Sequence, residues 1–249
     1  QEADGDMTVA MEALRKAGIA KAAKKASRST TEGMIAVRAS GNAAVILEVG
    51  CETDFVARNE AFQELVEGIA ERTLSACSGR DGDVTEEVRE AENDALTERI
   101  GKMGENMTIV RVTRWEGTGT FSSYIHMGGK IGVLAETHGE ADADTLKDLC
   151  MHIAAFQPQF ISPEDVSEEV IAKEREIAAA QVEGKPANII EKIVDGKIGK
   201  WFSEVCLVRQ PWIRDDKSCL EKVAPKLTVD RFVRWTVGEN AAAEDDQED

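Results

Sequence analysis

Met34-Ile35-Ala36-Val37-Arg38-Ala39-Ser40-Gly41-Asn42-Ala43-Ala44-Val45-Ile46-Leu47-Glu48-Val49 contains two apolar runs on either side of the polar segment Ser40-Gly41-Asn42. Runs of this length that are rich in β-branched residues and bounded by glycine and asparagine predict a β-hairpin. Beyond the second run the apolar spacing changes to i, i+3, i+4, i+7, which predicts one face of a helix. The residues at that spacing are Phe62, Leu65, Val66 and Ile69.

The same order of elements recurs later in the chain. Phe121 to His126 and Ile131 to Ala135 are strand-like runs joined by the turn Met127-Gly128-Gly129-Lys130, and a helical apolar spacing follows. That spacing lies at Leu146, Leu149, Cys150 and Ile153, each 84 positions beyond its counterpart in the first helix. A hairpin followed by a helix, twice, predicts an α+β fold with two related core subdomains. Between the two we expect part helix and part loop from Ser78 to Glu98, then a strand from Met107 to Trp115.

The third part of the sequence predicts a helical hairpin. Ser162-Pro163-Glu164-Asp165 indicates a helix start, because a hydroxyl, a proline and two acids all favour a helix N-terminus. Glu183-Gly184-Lys185-Pro186 predicts the turn between two antiparallel helices. The apolar side of the first helix is expected at Val166, Val170, Ile177 and Ala178, and that of the second at Ile190, Val194, Ile198, Trp201 and Val205. A strand from Leu227 to Val237 would rejoin the preceding sheet, which makes the hairpin an insertion in the second subdomain.

Composition and charge exclude several classes of partner. The chain has 249 residues and a formal net charge of −17, whereas binding to duplex nucleic acid needs a basic face. No apolar run reaches the length of a membrane span, and no signal peptide is evident. We therefore predict no nucleic-acid partner and no membrane partner.

The charge is distributed unevenly along the chain. Residues 11–28 hold six bases against Glu12, which predicts either a docking patch for an acidic protein partner or a solvated helix face. Residues 239–249 hold six carboxylates and no base, which predicts a disordered, solubilising tail. The six bases are Arg15, Lys16, Lys21, Lys24, Lys25 and Arg28.

The cysteines indicate a reducing environment. There are five, an odd number, and none forms a CxxC pair. This pattern favours free thiols in a reducing compartment and argues against a zinc site. Bacterial cytosol and organelle matrix both suit it, and we predict a cytoplasmic protein. We also predict no metal and no cofactor. The five are Cys51, Cys77, Cys150, Cys206 and Cys219.

The segment Cys51-Glu52-Thr53-Asp54-Phe55-Val56-Ala57-Arg58-Asn59 connects the second strand to the first helix. Connections of this kind present functional side chains on a rigid base. One alternative is that Phe55 packs into the local core while Thr53 or Asp54 caps a helical turn. The other is that the ring of Phe55, beside the carboxylate of Asp54, is presented to a partner.

Several motifs, in order, resemble the elongation factor Ts family, and the resemblance covers nearly the whole chain. The most specific is Glu52-Thr53-Asp54-Phe55-Val56-Ala57-Arg58-Asn59. The others are Glu2-Ala3-Asp4-Gly5-Asp6 with Leu14-Arg15 and Ala22-Ala23-Lys24-Lys25-Ala26, Lys102-Met103-Gly104-Glu105-Asn106, Ser123-Tyr124-Ile125-His126, Met151-His152-Ile153-Ala154-Ala155, and Ser162-Pro163-Glu164-Asp165-Val166.

The resemblance implies a domain layout. Residues 2–17 match only the last part of the family's N-terminal helical module, which resembles a ubiquitin-associated domain, so we expect an N-terminally truncated chain. The family's C-terminal helical module is expected to be replaced by the acidic tail. The implied domains are a partial helical module with linker at 1–28, a core N-subdomain at 29–116, a core C-subdomain at 117–161 and 207–238, an inserted coiled-coil hairpin at 162–206, and the tail at 239–249.

The resemblance also implies the activity of a guanine-nucleotide exchange factor, which acts by protein–protein binding without covalent chemistry. The implied partner is elongation factor Tu, both GDP-bound and nucleotide-free, and a homodimer within a complex of two Tu and two Ts chains is left open. The positions that displace Mg²⁺ from Tu correspond to Thr53, Asp54, Phe55 and Val56, with Phe55 as the wedge. Further Tu contacts are expected at Met103, Gly104, His126 and Arg15.

Alternatives stay open for some of these residues and for the activity. Met103 would equally suit a core position at a strand start, and Gly104 would suit a turn. An acid/base enzyme using Asp54 and His126 lacks a nucleophile elbow, a phosphate-binding glycine loop and paired histidine ligands. A scaffold or chaperone acting through the helical hairpin would leave an exposed Phe55 unexplained. The other histidines, His138 and His152, are expected to be structural or incidental.

Overall fold

A computed structural model describes residues 18–20, 22–182 and 186–239. It confirms the mixed α+β content with antiparallel pairing in the first sheet. The strands are β1 (Glu32–Ser40), β2 (Ala43–Cys51), β3 (Gly82–Asp83), β4 (Met107–Glu116), β5 (Thr120–His126), β6 (Ile131–Gly139) and β7 (Leu227–Thr236). The helices are α1 (Asp54–Ala57), α2 (Glu60–Ala76), α3 (Thr85–Met103), α4 (Ala143–Phe156), α5 (Glu168–Ala180), α6 (Ala187–Val205) and α7 (Leu220–Val223).

The predicted first hairpin is confirmed. Strands β1 and β2 pair antiparallel from Glu32 opposite Cys51 to Ser40 opposite Ala43. Gly41 lies in the turn with φ of +60°, a conformation that glycine adopts without steric cost. The sheet is completed in the order β1-β2-β4-β3, which leaves β2 as an interior strand.

Strand β2 is buried along its whole length because both faces of the sheet are covered. On one face Val45, Leu47 and Val49 pack in a cluster that includes the apolar side of α2. On the other face Ala44 and Ile46 belong to a second cluster. That cluster contains Ile35, Val37, Trp115, Leu134 and Trp235. Burial on both faces accounts for a continuous apolar run in place of strict alternation.

A carboxylate is nevertheless buried in β2. The side chain of Glu48 is 1% exposed, and its Oε2 lies 2.8 Å from Nε of Arg111 on the neighbouring strand β4. Its Oε1 accepts a hydrogen bond from the main-chain N–H of Gly238 at 2.9 Å. The charge is therefore paired and hydrogen-bonded, as a buried charge must be.

The predicted helical face of α2 is also confirmed, since Phe62, Leu65, Val66 and Ile69 are all buried. The acidic stretch after it contains more helix than expected. Helix α3 begins at Thr85 and continues to Met103, so Met103 ends a helix and does not begin a strand.

The second predicted hairpin and the return of the last strand are confirmed by the sheet order β5-β6-β7. The described residues form two compact units, one with those up to Leu134 and from Val233 to Glu239, the other with those of Ala135–Phe232. Strands β6 and β7 each contain residues of both units.

Within the unit Ala135–Phe232, the helix start predicted at Ser162 is wrong. Ser162 and Asp165 do form a reciprocal capping box, but it closes only a 3₁₀ turn, Pro163–Asp165. Val166 then adopts extended backbone with ψ of 124° and packs in a cluster with Val205 and Cys206. Helix α5 begins after Ser167, whose hydroxyl accepts the N–H of Val170.

The apolar side predicted for the first helix of the hairpin is partly wrong. Ala178 is buried against α6, but Val170 is 37% exposed and Ile177 is 45% exposed. On α6 the predicted stripe is confirmed, with Val194, Ile198 and Val205 buried. Helices α5 and α6 pack together around Ala178 and, nearer the start of α5, through Ile171 against Val205.

Some sequence-based expectations lie outside the described residues. These are Arg15 with the N-terminal module up to residue 17, the turn residues 183–185, and the acidic tail from residue 240. The domain boundaries derived from the resemblance stay predictions.

Candidate functional site

The connection between β2 and α2 is built from two helix caps in succession. Strand β2 ends at Cys51, and the side chain of Thr53 caps the single turn α1 by accepting the N–H of Val56 at 3.4 Å. Asn59 then caps α2, its Oδ1 accepting the N–H of Ala61 at 2.9 Å. Because side chains satisfy free N–H groups at both helix starts, this connection has a defined conformation.

Phe55 lies at the surface of α1 and is 84% exposed. The two residues after it point inward, with Val56 9% and Ala57 5% exposed in the cluster beneath the sheet. The expectation that Thr53 caps a helical turn is confirmed. The alternative that Phe55 packs into the local core is wrong, because its two neighbours occupy the inward positions of that turn.

The carboxylate of Asp54 forms an ion pair with Arg58. Asp54 Oδ2 lies 3.1 Å from Arg58 Nη2, with the side chains 41% and 80% exposed. Asp54 also occupies the first turn of α1, where a negative charge complements the helix dipole. An exposed pair of this kind contributes little to stability and is available for exchange with other polar partners.

The end of α3 approaches the same connection. Glu105 accepts two hydrogen bonds from Thr53, from the main-chain N–H to Oε2 at 3.0 Å and from the hydroxyl to Oε1 at 2.7 Å. The thiol of Cys51 donates to the carbonyl oxygen of Thr53 at 3.2 Å. Burial, with a contribution from the Glu105 carboxylate, raises the pKa of Cys51 to about 12, so its proton is retained at neutral pH. Every polar atom of Thr53 is thus hydrogen-bonded.

A reciprocal set of contacts lies beside Thr53. Glu52 Oε1 accepts the main-chain N–H of Asn106 at 2.6 Å, which, together with Arg28, lowers the pKa of that carboxyl group. Asn106 is 4% exposed, and its Nδ2 donates to the carbonyl oxygen of Arg28 at 2.8 Å. Three segments that are distant in sequence therefore meet at this connection.

The two residues before Glu105 have distinct settings. Met103 is half-buried against the cluster under the sheet. Gly104 is exposed with φ of +83°, and its N–H donates to the carbonyl oxygen of Ile100, which ends α3 in a left-handed cap. The expectation that Gly104 serves a turn is confirmed, since this backbone conformation favours glycine.

His126 is exposed at the end of β5. Its Nδ1 lies 3.0 Å from the hydroxyl of Tyr124, and the two rings are stacked with centroids 5.8 Å apart. The next residue, Met127, is 71% exposed and has φ of +50°. The described contacts of His126 are thus with Tyr124 and with the turn that follows it, where Gly129 and Lys130 donate to its carbonyl oxygen, and not with the 51–59 connection.

The remaining histidines have local partners. His152 is fully buried, stacked between Phe156 and Trp212 with ring centroids 4.6 Å and 5.2 Å away. His138 forms a pair with Asp230. In the described part of the chain, no three His, Cys, Asp or Glu side chains are grouped so that they could hold a metal ion. None of the described helices combines the length and apolar composition needed to cross a membrane.

The sequence patterns assigned no role to Glu105 or Asn106. Both residues belong to the motif Lys102-Met103-Gly104-Glu105-Asn106. Membership of that motif is the sequence signal that could have identified them. Their partners lie 52 and 54 residues away in sequence, beyond the reach of any local pattern.

Comparison with known proteins gives one family. The model of the family described as "Elongation factor TS" matches residues 52–239. A protein named elongation factor Ts, from Halothermothrix orenii, is 42% identical over 259 aligned residues, which covers 98% of this chain and 87% of that protein.

Proposed function

Because the chain belongs to the elongation factor Ts family, we propose that it binds elongation factor Tu and promotes the release of GDP, so that GTP can bind. The observation that carries this proposal is the exposure of Phe55, which is 84% accessible on a capped turn beside an acidic residue. A large apolar side chain held at the surface in one defined position is typical of an interface anchor.

The role of an exchange factor sets an energetic requirement. It must bind the nucleotide-free form of its partner more tightly than the GDP-bound form, and nucleotide then weakens its binding by the same factor. A shift of about 10⁴-fold in that equilibrium requires roughly 5.5 kcal/mol of differential binding. Since no single contact supplies this energy, an anchor must act together with a wider contact surface.

In this proposal the four residues Thr53, Asp54, Phe55 and Val56 have separate roles. Phe55 inserts into the nucleotide domain of Tu and displaces the elements that hold Mg²⁺. Asp54 exchanges its exposed pairing with Arg58 for polar groups of the partner. Thr53 and Val56 hold the turn, the first by capping it and the second by burial. The mechanism makes and breaks no covalent bond.

The wider surface is proposed to include Met103, Gly104, His126 and Arg15. His126 is exposed at the end of β5, where Tyr124 contacts its Nδ1, and an exposed histidine suits an interface. Gly104 is exposed next to Glu105, at the base of the 51–59 connection. Cytoplasmic location, the coiled-coil nature of the helical hairpin and a complex of two Tu and two Ts chains stay predictions.

The test is the release of a fluorescent GDP analogue from elongation factor Tu, measured by stopped flow with excess unlabelled nucleotide. We expect the full-length protein to accelerate release strongly and Phe55→Ala to lose most of that acceleration. A matched control is Val223→Ala, which truncates another exposed apolar residue, 41% accessible on α7. We expect this control to behave as the wild type.

Two results would contradict the proposal. A wild-type chain that leaves the release rate unchanged would exclude exchange activity. An equal loss of GDP-release acceleration in Phe55→Ala and Val223→Ala would exclude a specific role of the aromatic ring. An enzyme would instead turn over a substrate without Tu, and a scaffold would bind Tu without altering nucleotide release.

A further inference from the structure

We propose that Glu105 is a positioning residue, whose carboxylate fixes the turn Asp54–Ala57 in the conformation that presents Phe55. This inference rests on the proposed function, because it assigns a role within the same site. Glu105 is not proposed to contact the partner. It acts through Thr53, the residue that caps the turn.

The geometry supports this role by the number and kind of bonds. Glu105 accepts the N–H and the hydroxyl of Thr53 with separate oxygens, at 3.0 Å and 2.7 Å. Hydrogen bonds to an ionised acceptor are stronger than neutral ones. With its proton committed to Glu105, the Thr53 hydroxyl oxygen is left as an acceptor, and it accepts the N–H of Val56. One carboxylate thereby sets both the position and the capping direction of Thr53.

The turn needs such support because its own contacts are few. Helix α1 has four residues, fewer than an isolated helix requires for stability. The ring of Phe55 is 84% exposed and adds little packing, so burial anchors the turn through Val56 and Ala57. Without Glu105, Phe55 would sample several orientations, and binding would have to restrict them at an entropic cost.

Glu105 is itself held in place on both sides. Gly104 ends α3 immediately before it in a left-handed conformation, and Asn106 immediately after it donates its N–H to Glu52 at 2.6 Å. The two segments are hydrogen-bonded in antiparallel order. The carboxylate of Glu52 accepts the N–H of Asn106, and the carboxylate of Glu105 accepts the N–H of Thr53. This reciprocal arrangement fixes the separation of the two backbones and leaves the carboxylate of Glu105 directed at Thr53.

The predicted kinetic effect distinguishes positioning from direct contact. Loss of pre-organisation reduces the fraction of chains that are competent to bind, so the apparent affinity falls by that fraction. We expect Glu105→Ala to raise the concentration needed for half-maximal GDP release by about tenfold, the factor expected for loss of charge-assisted bonds. The release rate at saturation should change little, whereas Phe55→Ala should lower it.

The experiment combines that titration with amide hydrogen exchange on the full-length protein in the absence of its partner. In Glu105→Ala we expect the amides of Thr53 and Val56 to exchange at least about tenfold faster, while the core strand β2 keeps its protection. Glu105→Gln retains the shape and one acceptor oxygen and should give intermediate values in both measurements. The control is Glu98→Ala, an exposed glutamate of α3 paired with Lys102, which should match the wild type.

The outcomes separate this inference from the proposed function. Unchanged exchange at Thr53 and Val56 in Glu105→Ala would overturn the positioning role, whatever the activity of the chain. Faster exchange there with unchanged half-maximal concentration would also overturn it, because the turn would then be loosened without consequence. If the wild-type protein does not accelerate GDP release from Tu, the proposed function is overturned. The hydrogen-exchange result would then still decide whether Glu105 holds Thr53 in place.

Discussion

Phe55 and Val56 are consecutive residues of a single helical turn, yet Phe55 is 84% exposed and Val56 is 9% exposed. The larger and more apolar ring is the one in solvent. A turn formed only to bury apolar surface would place them the other way round, because burial of the ring contributes more. The arrangement therefore forgoes the stability that burial of Phe55 would add, which agrees with the proposed role of the ring as an interface anchor.

The first prediction compares truncation of these two neighbours. Val56→Ala should reduce the free energy of unfolding by about 1–3 kcal/mol, because it removes buried methyl groups and leaves a cavity. Phe55→Ala should change it by less than about 0.5 kcal/mol, since the ring is mostly exposed and has little packing to lose. Urea unfolding followed by circular dichroism measures both. A larger loss for Phe55→Ala than for Val56→Ala would show that the ring is buried in solution.

A second prediction concerns the turn between β5 and β6. Met127 has φ of +50°, a left-handed conformation that costs a non-glycine residue about 1–2 kcal/mol. Asparagine tolerates this conformation better, so Met127→Asn should raise the free energy of unfolding by about 0.5–1 kcal/mol. The comparison variant is Gly128→Ala at φ of +64°, where an added Cβ meets nothing within 4 Å. Gly128→Ala should lower the free energy of unfolding through backbone conformation alone. If Met127→Asn and Gly128→Ala change the free energy of unfolding in the same direction, this explanation is contradicted.

The third prediction concerns pH and His152. Burial lowers the pKa of His152 below its ordinary value of 6.5. Just below pH 6.5 this residue is therefore protonated in the unfolded chain and still neutral in the folded chain. The free energy of unfolding falls as the pH drops below that value, by at most about 1.4 kcal/mol per pH unit. Above pH 6.5 both states are neutral at this residue and the contribution is constant.

The hydrogen bonds of Gln210 fix the tautomer of His152, whereas burial keeps the ring neutral by lowering its pKa against the opposing effect of the bond to Gln210. Gln210 Nε2 donates to the carbonyl oxygens of Phe156 and Glu204, which turns Oε1 toward His152 Nε2 at 2.9 Å. The Nε2 nitrogen therefore carries the proton, and among the residues that the structure describes the buried Nδ1 has no hydrogen-bond partner to stabilise a second one. Denaturant titrations at pH 7.5 and 5.5 should show a smaller loss of stability in His152→Gln than in the wild type. Equal losses would assign the pH dependence to other groups.

The fourth prediction concerns thiol reactivity. Burial raises the pKa of Cys51 and Cys150 to about 12 and that of Cys206 to about 11, whereas Cys77 and Cys219 are half-buried. A disulfide reagent attacks the thiolate, so at pH 8 the folded chain should show two accessible thiols and three that react only on unfolding. The reagent 5,5′-dithiobis(2-nitrobenzoate) gives this count directly. Rapid reaction of all five would contradict the burial of the three.

Local patterns predicted the elements that depend on near neighbours in the sequence. The β1–β2 hairpin follows from two apolar runs around Ser40-Gly41-Asn42, and α2 follows from a helical spacing in which all four predicted residues are buried. The same rules placed a helix start at Ser162, where the capping box is real but closes only a 3₁₀ turn. The reason is tertiary, because Val166 leaves the helical path to pack against Val205 and Cys206.

The order and type of the main elements, and the position of the 51–59 connection between a strand and a helix, could be derived from the sequence because they depend on spacing over a few residues. The exposure of Phe55 could not, since local rules allow either Phe55 or Val56 to face inward. The cluster under the sheet decides it by receiving Val56 and Ala57. The contact of Glu105 with Thr53 joins residues 52 positions apart, and only the folded chain brings them together.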